Sequence, residues 1–211
     1  MKKKLILIFF IAPSLISAFA QSPVAIELFN KANAKIGTQD YQEAVNMFSK
    51  ALTISPDFKQ AYKNRGIAYS LLSKNKEAIL DFTKAIRLDD SDPYLYNYRG
   101  LAKSTIAKEK RDTIQLLNAL KDMDKAISLR DNEVDFYLNK GIALLFFDRY
   151  DAAIQEFNAA IDLEPKHAKA HHDRGIAYSY LGKEIKACLD WKKAKAYGFT
   201  LSKEALSKKC E

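Results

Sequence analysis

The sequence predicts an all-α protein, a right-handed α-solenoid of about five antiparallel helical hairpins closed by a C-terminal capping helix. Three observations carry that expectation. Small residues recur in two independent series that keep one period. Glycine (7) and proline (5) are scarce in 211 residues, which disfavours a turn-rich β chain and suits long helices with short connections. Apolar residues make up 48 % and charged residues 28 %, enough for a buried core under a solvated surface.

The first twenty residues form a separate object. Lys2, Lys3 and Lys4 give a positive head, Leu5 to Ile11 an unbroken apolar run, and Ala18-Phe19-Ala20 ends in small residues at the two positions a signal peptidase reads. The run is short against the ~20 residues of a bilayer span and is followed by Pro13, Ser14 and Ser17. Cleavage after Ala20 is therefore expected over a retained anchor, and no cysteine stands there to take a lipid. The mature chain would be periplasmic or secreted, with no stable membrane insertion. Loss of three lysines leaves 31 basic residues against 26 acidic, so the formal +8 becomes +5. That mild excess, spread along the chain, reads as an ordinary solvated surface, and an exported chain rarely meets nucleic acid.

The repeat comes next. Ala32, Gly66, Gly100, Gly141 and Gly175 are separated by 34, 34, 41 and 34 residues. Ala51, Ala85, Ala126, Ala160 and Ala194 are separated by 34, 41, 34 and 34, with the same single exception. Each unit holds two apolar-striped segments, such as Lys63 to Leu72 and Glu77 to Leu88, joined by a short polar turn at Ser73-Lys74-Asn75. Helices joined so briefly run antiparallel. Gly66 facing Ala78 and Ala85 lets the two backbones approach closely, with Phe82 and Tyr69 filling the space beside them.

These residues resemble the tetratricopeptide repeat, whose pattern is aromatic-x2-Leu-Gly-x2-Tyr, then Ala-x3-Phe, Ala and a closing Pro over 34 residues. The second unit reads Tyr62, Arg65, Gly66, Tyr69, Ala78, Phe82, Ala85. The fourth reads Tyr137, Lys140, Gly141, Leu144, Ala153, Phe157, Ala160, Pro165. The first (Leu28, Ala32, Ala44, Phe48, Ala51, Pro56) and fifth (His171, Gly175, Tyr178, Ala187, Trp191, Ala194) are looser, as array ends are. The third keeps Tyr96, Gly100, Ala119, Met123 and Ala126. The units span about 25–58, 59–92, 93–133, 134–167 and 168–197, with residues 198–211 as the cap.

The third unit is longer. Gly100 to Ala119 spans 19 residues where Gly66 to Ala78 needs 12. Seven extra residues are close to two helical turns, so both helices can lengthen without rotating either apolar face. The tip falls at Lys108-Glu109-Lys110-Arg111, and Asp112, three before Gln115, resembles a helix cap. The hairpin is expected to protrude ~5 Å beyond its neighbours, one turn's rise. Its basic tip is either a contact for an acidic partner or a tolerated surface elongation.

A solenoid must cover the apolar face of its last repeat. Gly198 stops the fifth unit, and Leu201, Ala205, Leu206 and Cys210 then share one stripe of a capping helix. If the chain reverses near Phe199, Cys188 lies eleven residues before the turn and Cys210 eleven after, so the two come level. A disulfide is expected in an oxidising compartment and would add ~3 kcal/mol by the chain-entropy model. The alternative is two buried thiols packing as small apolar groups.

Catalytic chemistry is not expected. The histidines are His167, His171 and His172. His167 falls in a turn, and His171 takes the packing slot that Tyr62, Tyr96 and Tyr137 fill elsewhere, so no metal site forms. Asp173 and Ser179 lie at ordinary helical positions, and Asp89-Asp90 falls at an inter-repeat turn. No nucleophile elbow, phosphate-cradling loop or dinucleotide fingerprint is present. No cofactor is implied.

What the resemblance implies is a groove whose concave wall is built by the first helix of each hairpin. Its exposed positions would be Phe29 and Asn33, then Lys63, Ile67 and Ser70, then Tyr94, Asn97 and Leu101. Leu138, Ile142 and Leu145 follow, then His172, Ile176 and Tyr180. An apolar sector at Leu144 to Phe147 either serves this wall or is inter-repeat core. Such a surface suits an extended peptide or a partner helix. Some members of the family grip a C-terminal carboxylate with asparagines flanked by basic residues. Asn33 and Asn64 fall where the asparagines would, but Tyr94 and Tyr98 replace the basic pair. The expected function is a non-catalytic adaptor binding a protein partner in the groove. The alternative is a structural part of an envelope assembly, joined through the third hairpin.

Overall fold

The computed structural model describes residues 21–200 and Cys210. The expected signal segment lies outside the described residues, as does the expected capping helix apart from residues 198–200 and Cys210. Ten α-helices and no strand occur among the described residues: α1 (Pro23–Gly37), α2 (Tyr41–Ile54), α3 (Lys59–Leu71), α4 (Asn75–Leu88), α5 (Pro93–Lys110), α6 (Thr113–Leu129), α7 (Val134–Leu145), α8 (Tyr150–Leu163), α9 (Ala168–Tyr180) and α10 (Glu184–Ala196). Consecutive pairs form five hairpins, an all-α helical repeat.

Every hairpin turns in the same way. Gln39, Ser73, Arg111, Asp148 and Gly182 sit in the left-handed region, with φ between 50° and 69°. The next residue's N–H then reaches back five residues to a carbonyl of the first helix: Asp40 to Lys35, Lys74 to Tyr69, Asp112 to Ala107, Arg149 to Leu144 and Lys183 to Tyr178, at 2.8–3.0 Å. This is a Schellman closure, which satisfies carbonyls that a helix end leaves open. Four of the five left-handed residues are not glycine, so these turns carry strain that the packing on either side sustains.

That packing follows from the two small-residue series. Ala32, Ala51, Ala85, Ala126, Ala160 and Ala194 are fully buried. The glycines of the first helices receive a large side chain directly on their backbone. A Cβ built on Gly66 would lie 2.7 Å from the Phe82 ring, on Gly141 2.5 Å from Phe157, on Gly175 2.6 Å from Trp191 and on Gly100 2.9 Å from Met123. The rings lie over the glycines rather than beside them.

A second repeating device is charged. Arg65 donates through Nε and Nη2 to both oxygens of Asp81 at 2.7 Å, and through Nη1 to Ser49 Oγ at 2.9 Å on the preceding hairpin. Arg99 does the same with Asp122 and Thr83, and Arg174 with Asp190 and Asn158. Each fork ties three helices across two hairpins. In the fourth hairpin Lys140 stands in for arginine, between Asp124 of α6 and Glu156 of α8 at 2.8 and 2.7 Å. Burial pushes the Asp81 carboxyl up, and the Arg65 guanidinium pulls it back. Around Arg65, burial favours the neutral form, but the Asp81 carboxylate and the Tyr69 and Tyr62 rings hold the charge.

The sequence separation of the forks is 16 in the second and fifth hairpins and 23 in the third, which locates all seven inserted residues inside that hairpin. Helix α5 has 18 residues and α6 has 17, against 13 and 14 for α3 and α4. The helix runs to Lys110, Arg111 makes the turn, and the Asp112 side chain accepts from the N–H groups of Ile114 and Gln115 at 2.9 and 3.0 Å. The extra turn of α5 touches the next hairpin. Lys108 Nζ lies 3.5 Å from the centroid of the Phe146 ring in the next hairpin.

Curvature follows from which helices touch. First helices contact one another along the array (α1 with α3, α3 with α5, α5 with α7, α7 with α9), whereas no second helix contacts another. The side on which neighbours meet is the inner side, so the first helices build the concave wall.

Candidate partner-binding groove

The wall is polar and hydrogen-bonded at its start. Asn64 Nδ2 donates to Asn33 Oδ1 at 2.7 Å, so the two asparagines hold each other. Lys63 Nζ donates to Asp92 Oδ2 at 2.8 Å and stands 5.2 Å from the Tyr94 ring centroid. Tyr94 in turn packs edge-on against Phe136 and beside Tyr98. Phe29 packs at a tilt against Phe48 and Phe58 with centroids 5.7 and 4.9 Å away, which leaves it half-buried. Ser70 and Ile67 are half-buried, and Ile67 packs on the core.

Two expected groove residues are not in the groove. Asn97 and Leu138 are each 3 % exposed. Asn97 accepts from Asn139 Nδ2 at 3.3 Å, and Leu138 packs into the core of the fourth hairpin. The reason is the joint between the third and fourth hairpins, where α5 and α7 close on each other and take these positions out of the wall. Leu144 is core with Leu145 and Ile142 half-buried against its cluster, and Phe147 packs on the cluster of Ala107, Leu116, Met123 and Ala143. The expected apolar sector is thus mostly inter-repeat core, and its exposed member is Phe146, at 46 %.

Tyr180 is 66 % exposed and stacks on Tyr150 with a centroid distance of 4.9 Å and an interplanar angle of 6°. The Tyr150 hydroxyl donates to Asp148 Oδ1 at 2.6 Å, and that bond pushes its pKa up to about 12. Ile176 is half-buried and Leu101 is 39 % exposed. His172 is half-buried, its ring stacked on Phe199 at 4.6 Å; burial lowers its pKa, with Asp173 pulling it up and Lys169 pushing it down. His171 is core, between Asp190 Oδ1 at 3.1 Å and the Pro165 carbonyl at 3.0 Å, and His167 caps α9 through Ala170 N–H. Among the described residues no three His, Cys, Asp or Glu side chains are grouped to hold a metal ion. Cys188 of α10 is joined to Cys210 by a disulfide with Cα atoms 5.4 Å apart.

Leu145, Phe146, Ile176 and Tyr180 line one recess of about 510 Å³ at the end of the α5 extension, with Lys108 and Arg111 on its rim. In the sequence the basic tip and the groove positions stand apart; the structure joins them. The signal available was the length of the insertion, which does not say where an extra turn of α5 lies.

Family profiles for the tetratricopeptide repeat match residues 28–58 and 60–92, and one for the TPR repeat matches residues 148–182. Among solved structures, the protein MamA superposes with a TM-score of 0.68 at 24 % identity, covering 79 % of this chain and 93 % of its own. YrrB, described as a TPR protein with an unusual peptide-binding site, gives 0.63 at 26 % identity over 82 % and 86 %. PilW, described as a widely conserved type IV pilus biogenesis factor, gives 0.74 at 19 % identity over 87 % and 82 %. No helix among the described residues is long and apolar enough to cross a membrane.

Proposed function

Because the chain belongs to the tetratricopeptide-repeat family, we propose that it is a non-catalytic scaffold that holds a peptide or helix of a protein partner along its concave wall. The observation that carries this reading is the set of large apolar groups, Leu101, Phe146 and Tyr180, left open on an inner wall whose other residues are engaged with one another. A rigid wall with a few open aromatic and aliphatic anchors is what binding of an extended segment requires. The similar YrrB fold has a peptide-binding site, which supports the same use of the architecture here. Export is part of this reading. It is supported by the lysine-rich, apolar first twenty residues and by the Cys188–Cys210 disulfide, which persists only in an oxidising compartment.

Site-specific photo-crosslinking in the native host tests it, with the probe at Leu101 or Tyr180 and a control at the exposed Lys50 of α2. Protein adducts at the wall positions and none at Lys50 are expected. Adducts at Lys50 with a silent wall would reject the groove. Leu145 is unsuitable for a substitution test, since it packs against the core and its loss would also destabilise the fold.

A further inference from the structure

We propose that the lengthened third hairpin turns one end of the groove into a pocket for an acidic peptide segment, an apolar or aromatic side chain flanked by aspartate or glutamate. This rests on the groove reading above and specifies its ligand.

Nearly all the positive charge on the concave helices is already paired. Every lysine and arginine of α1, α3, α7 and α9 forms an ion pair with a carboxylate of this chain, as do Arg99 and Lys103 of α5. These cations are already neutralised and offer little to an incoming anion. The exceptions are Lys108 and Lys110 of the inserted turn, followed by Arg111, none of which has a carboxylate partner among the described residues. The insertion has therefore placed the unspent positive charge of the inner wall at one spot.

That spot is also where the apolar surface opens. Lys108 and Arg111 border the recess of about 510 Å³ whose walls are Leu145, Phe146, Ile176 and Tyr180. The volume accommodates a large side chain, and the stack of Tyr180 on Tyr150 holds one wall in place before anything binds. Lys108 lies over the Phe146 ring, which fixes the ammonium at the rim rather than leaving it to sweep solvent. Arg111 makes the left-handed turn, at φ 50°, and its side chain is exposed. Asp148 also lines the recess and keeps its negative charge while accepting the Tyr150 hydroxyl, so two cations stand there against one carboxylate and the balance is positive. Two cations beside an apolar recess select carboxylates on either side of an apolar anchor, while a basic or purely apolar segment gains nothing from them.

Fluorescence anisotropy on the full chain tests this with three labelled probes. The first is an N-acetylated, C-amidated nonapeptide with a central Phe flanked by Asp and Glu; the second has Asn and Gln in their place; the third keeps the neutral side chains but carries a free C-terminal carboxylate. The acidic probe is expected to bind at least ~10-fold more tightly than the neutral one, with the advantage shrinking as salt rises. The Lys108→Gln/Arg111→Gln double variant, whose melting point should match the parent because both side chains are exposed, is expected to erase that difference. Equal affinity for the acidic and neutral probes overturns the proposal, as does an advantage that survives in the double variant. A free-acid probe binding as tightly as the acidic one also overturns it, because the pocket would then read a chain terminus. Cross-linking at Leu101 keeps the two ideas apart: a partner captured equally by parent and double variant leaves the groove standing and removes the acidic pocket.

Discussion

Replacing Gly141 by alanine sets two effects against each other with opposite signs. In an ordinary helix interior the change stabilises by ~0.8–1 kcal/mol, because glycine carries the larger backbone entropy cost. Here the new Cβ would sit 2.5, 2.8 and 2.9 Å from three carbons of the Phe157 ring, which is itself fully buried. Contacts that short require the ring or one helix to shift within a close-packed core, an overpacking cost of ~1–3 kcal/mol, and the absence of free space around the ring takes the upper end. The net expectation is destabilisation by ~1–2 kcal/mol, or ~2–8 °C in Tm for a chain of this size. Urea unfolding followed by circular dichroism measures it. Gly37→Ala is the control: nothing lies within 4 Å of its Cβ, so it should be neutral or stabilising. Phe157→Leu in the Gly141→Ala background should cost less than the two single changes added, because the smaller side chain relieves the clash. A Gly141→Ala variant as stable as the parent would refute the claim that ring-on-glycine contacts set the hairpin spacing.

Three further outcomes are expected. Arg65→Met leaves Asp81 buried without its partner and should cost ~3 kcal/mol, the low end for a broken buried pair because Arg65 retains 18 % side-chain exposure; a loss below ~1 kcal/mol would make the fork an ordinary surface pair. Ser73→Gly removes the left-handed strain at φ 59° and should raise stability by ~1 kcal/mol in the same urea assay, whereas no gain would mean the turn is unstrained. For His172, whose pKa is lowered in the fold, the unfolded chain takes up its proton first as pH falls below the ordinary 6.5. Stability is lost from there down to the folded pKa and then levels off. Thermal melts from pH 7.5 to 5 should show this decline, and His172→Gln should flatten it; an unchanged profile would place the titration elsewhere.

Much of this architecture is legible in the sequence because packing positions and period coincide. The paired small-residue series places the five hairpins, Asp112 marks the start of α6, and His171 in the tyrosine register belongs to the core. The forks were equally visible in principle. Arg-Gly occurs at 65–66, 99–100 and 174–175, and an aspartate precedes the large core residue at 81–82, 122–123 and 190–191. A charged residue beside a packing residue reads as a solvated flank, and only the approach of the preceding hairpin buries it. Asn97 and Leu138 mislead for a related reason. Their register predicts exposure in a uniform array, and the joint after the inserted hairpin is not uniform. Nor do Gln39, Ser73, Arg111 and Asp148 announce left-handed turns, since the residue that signals them most clearly, glycine, appears only at 182.

The backward reach of the forks bears on how many units can be joined end to end. The polar groups that receive each arginine from the following hairpin are Ser49, Thr83 and Asn158, with Asp124 receiving Lys140. In the same register of the fifth hairpin stands Lys192, exposed and positively charged. At the opposite end, the fork position is taken by Lys31, whose ammonium is paired with Glu27 of its own helix. A second copy stacked head to tail would bring Lys31 of one molecule toward Lys192 of the other. Like charges would then meet where every internal joint has a donor and an acceptor, and the same repeat chemistry that binds hairpins within the chain would oppose growth of a filament between chains.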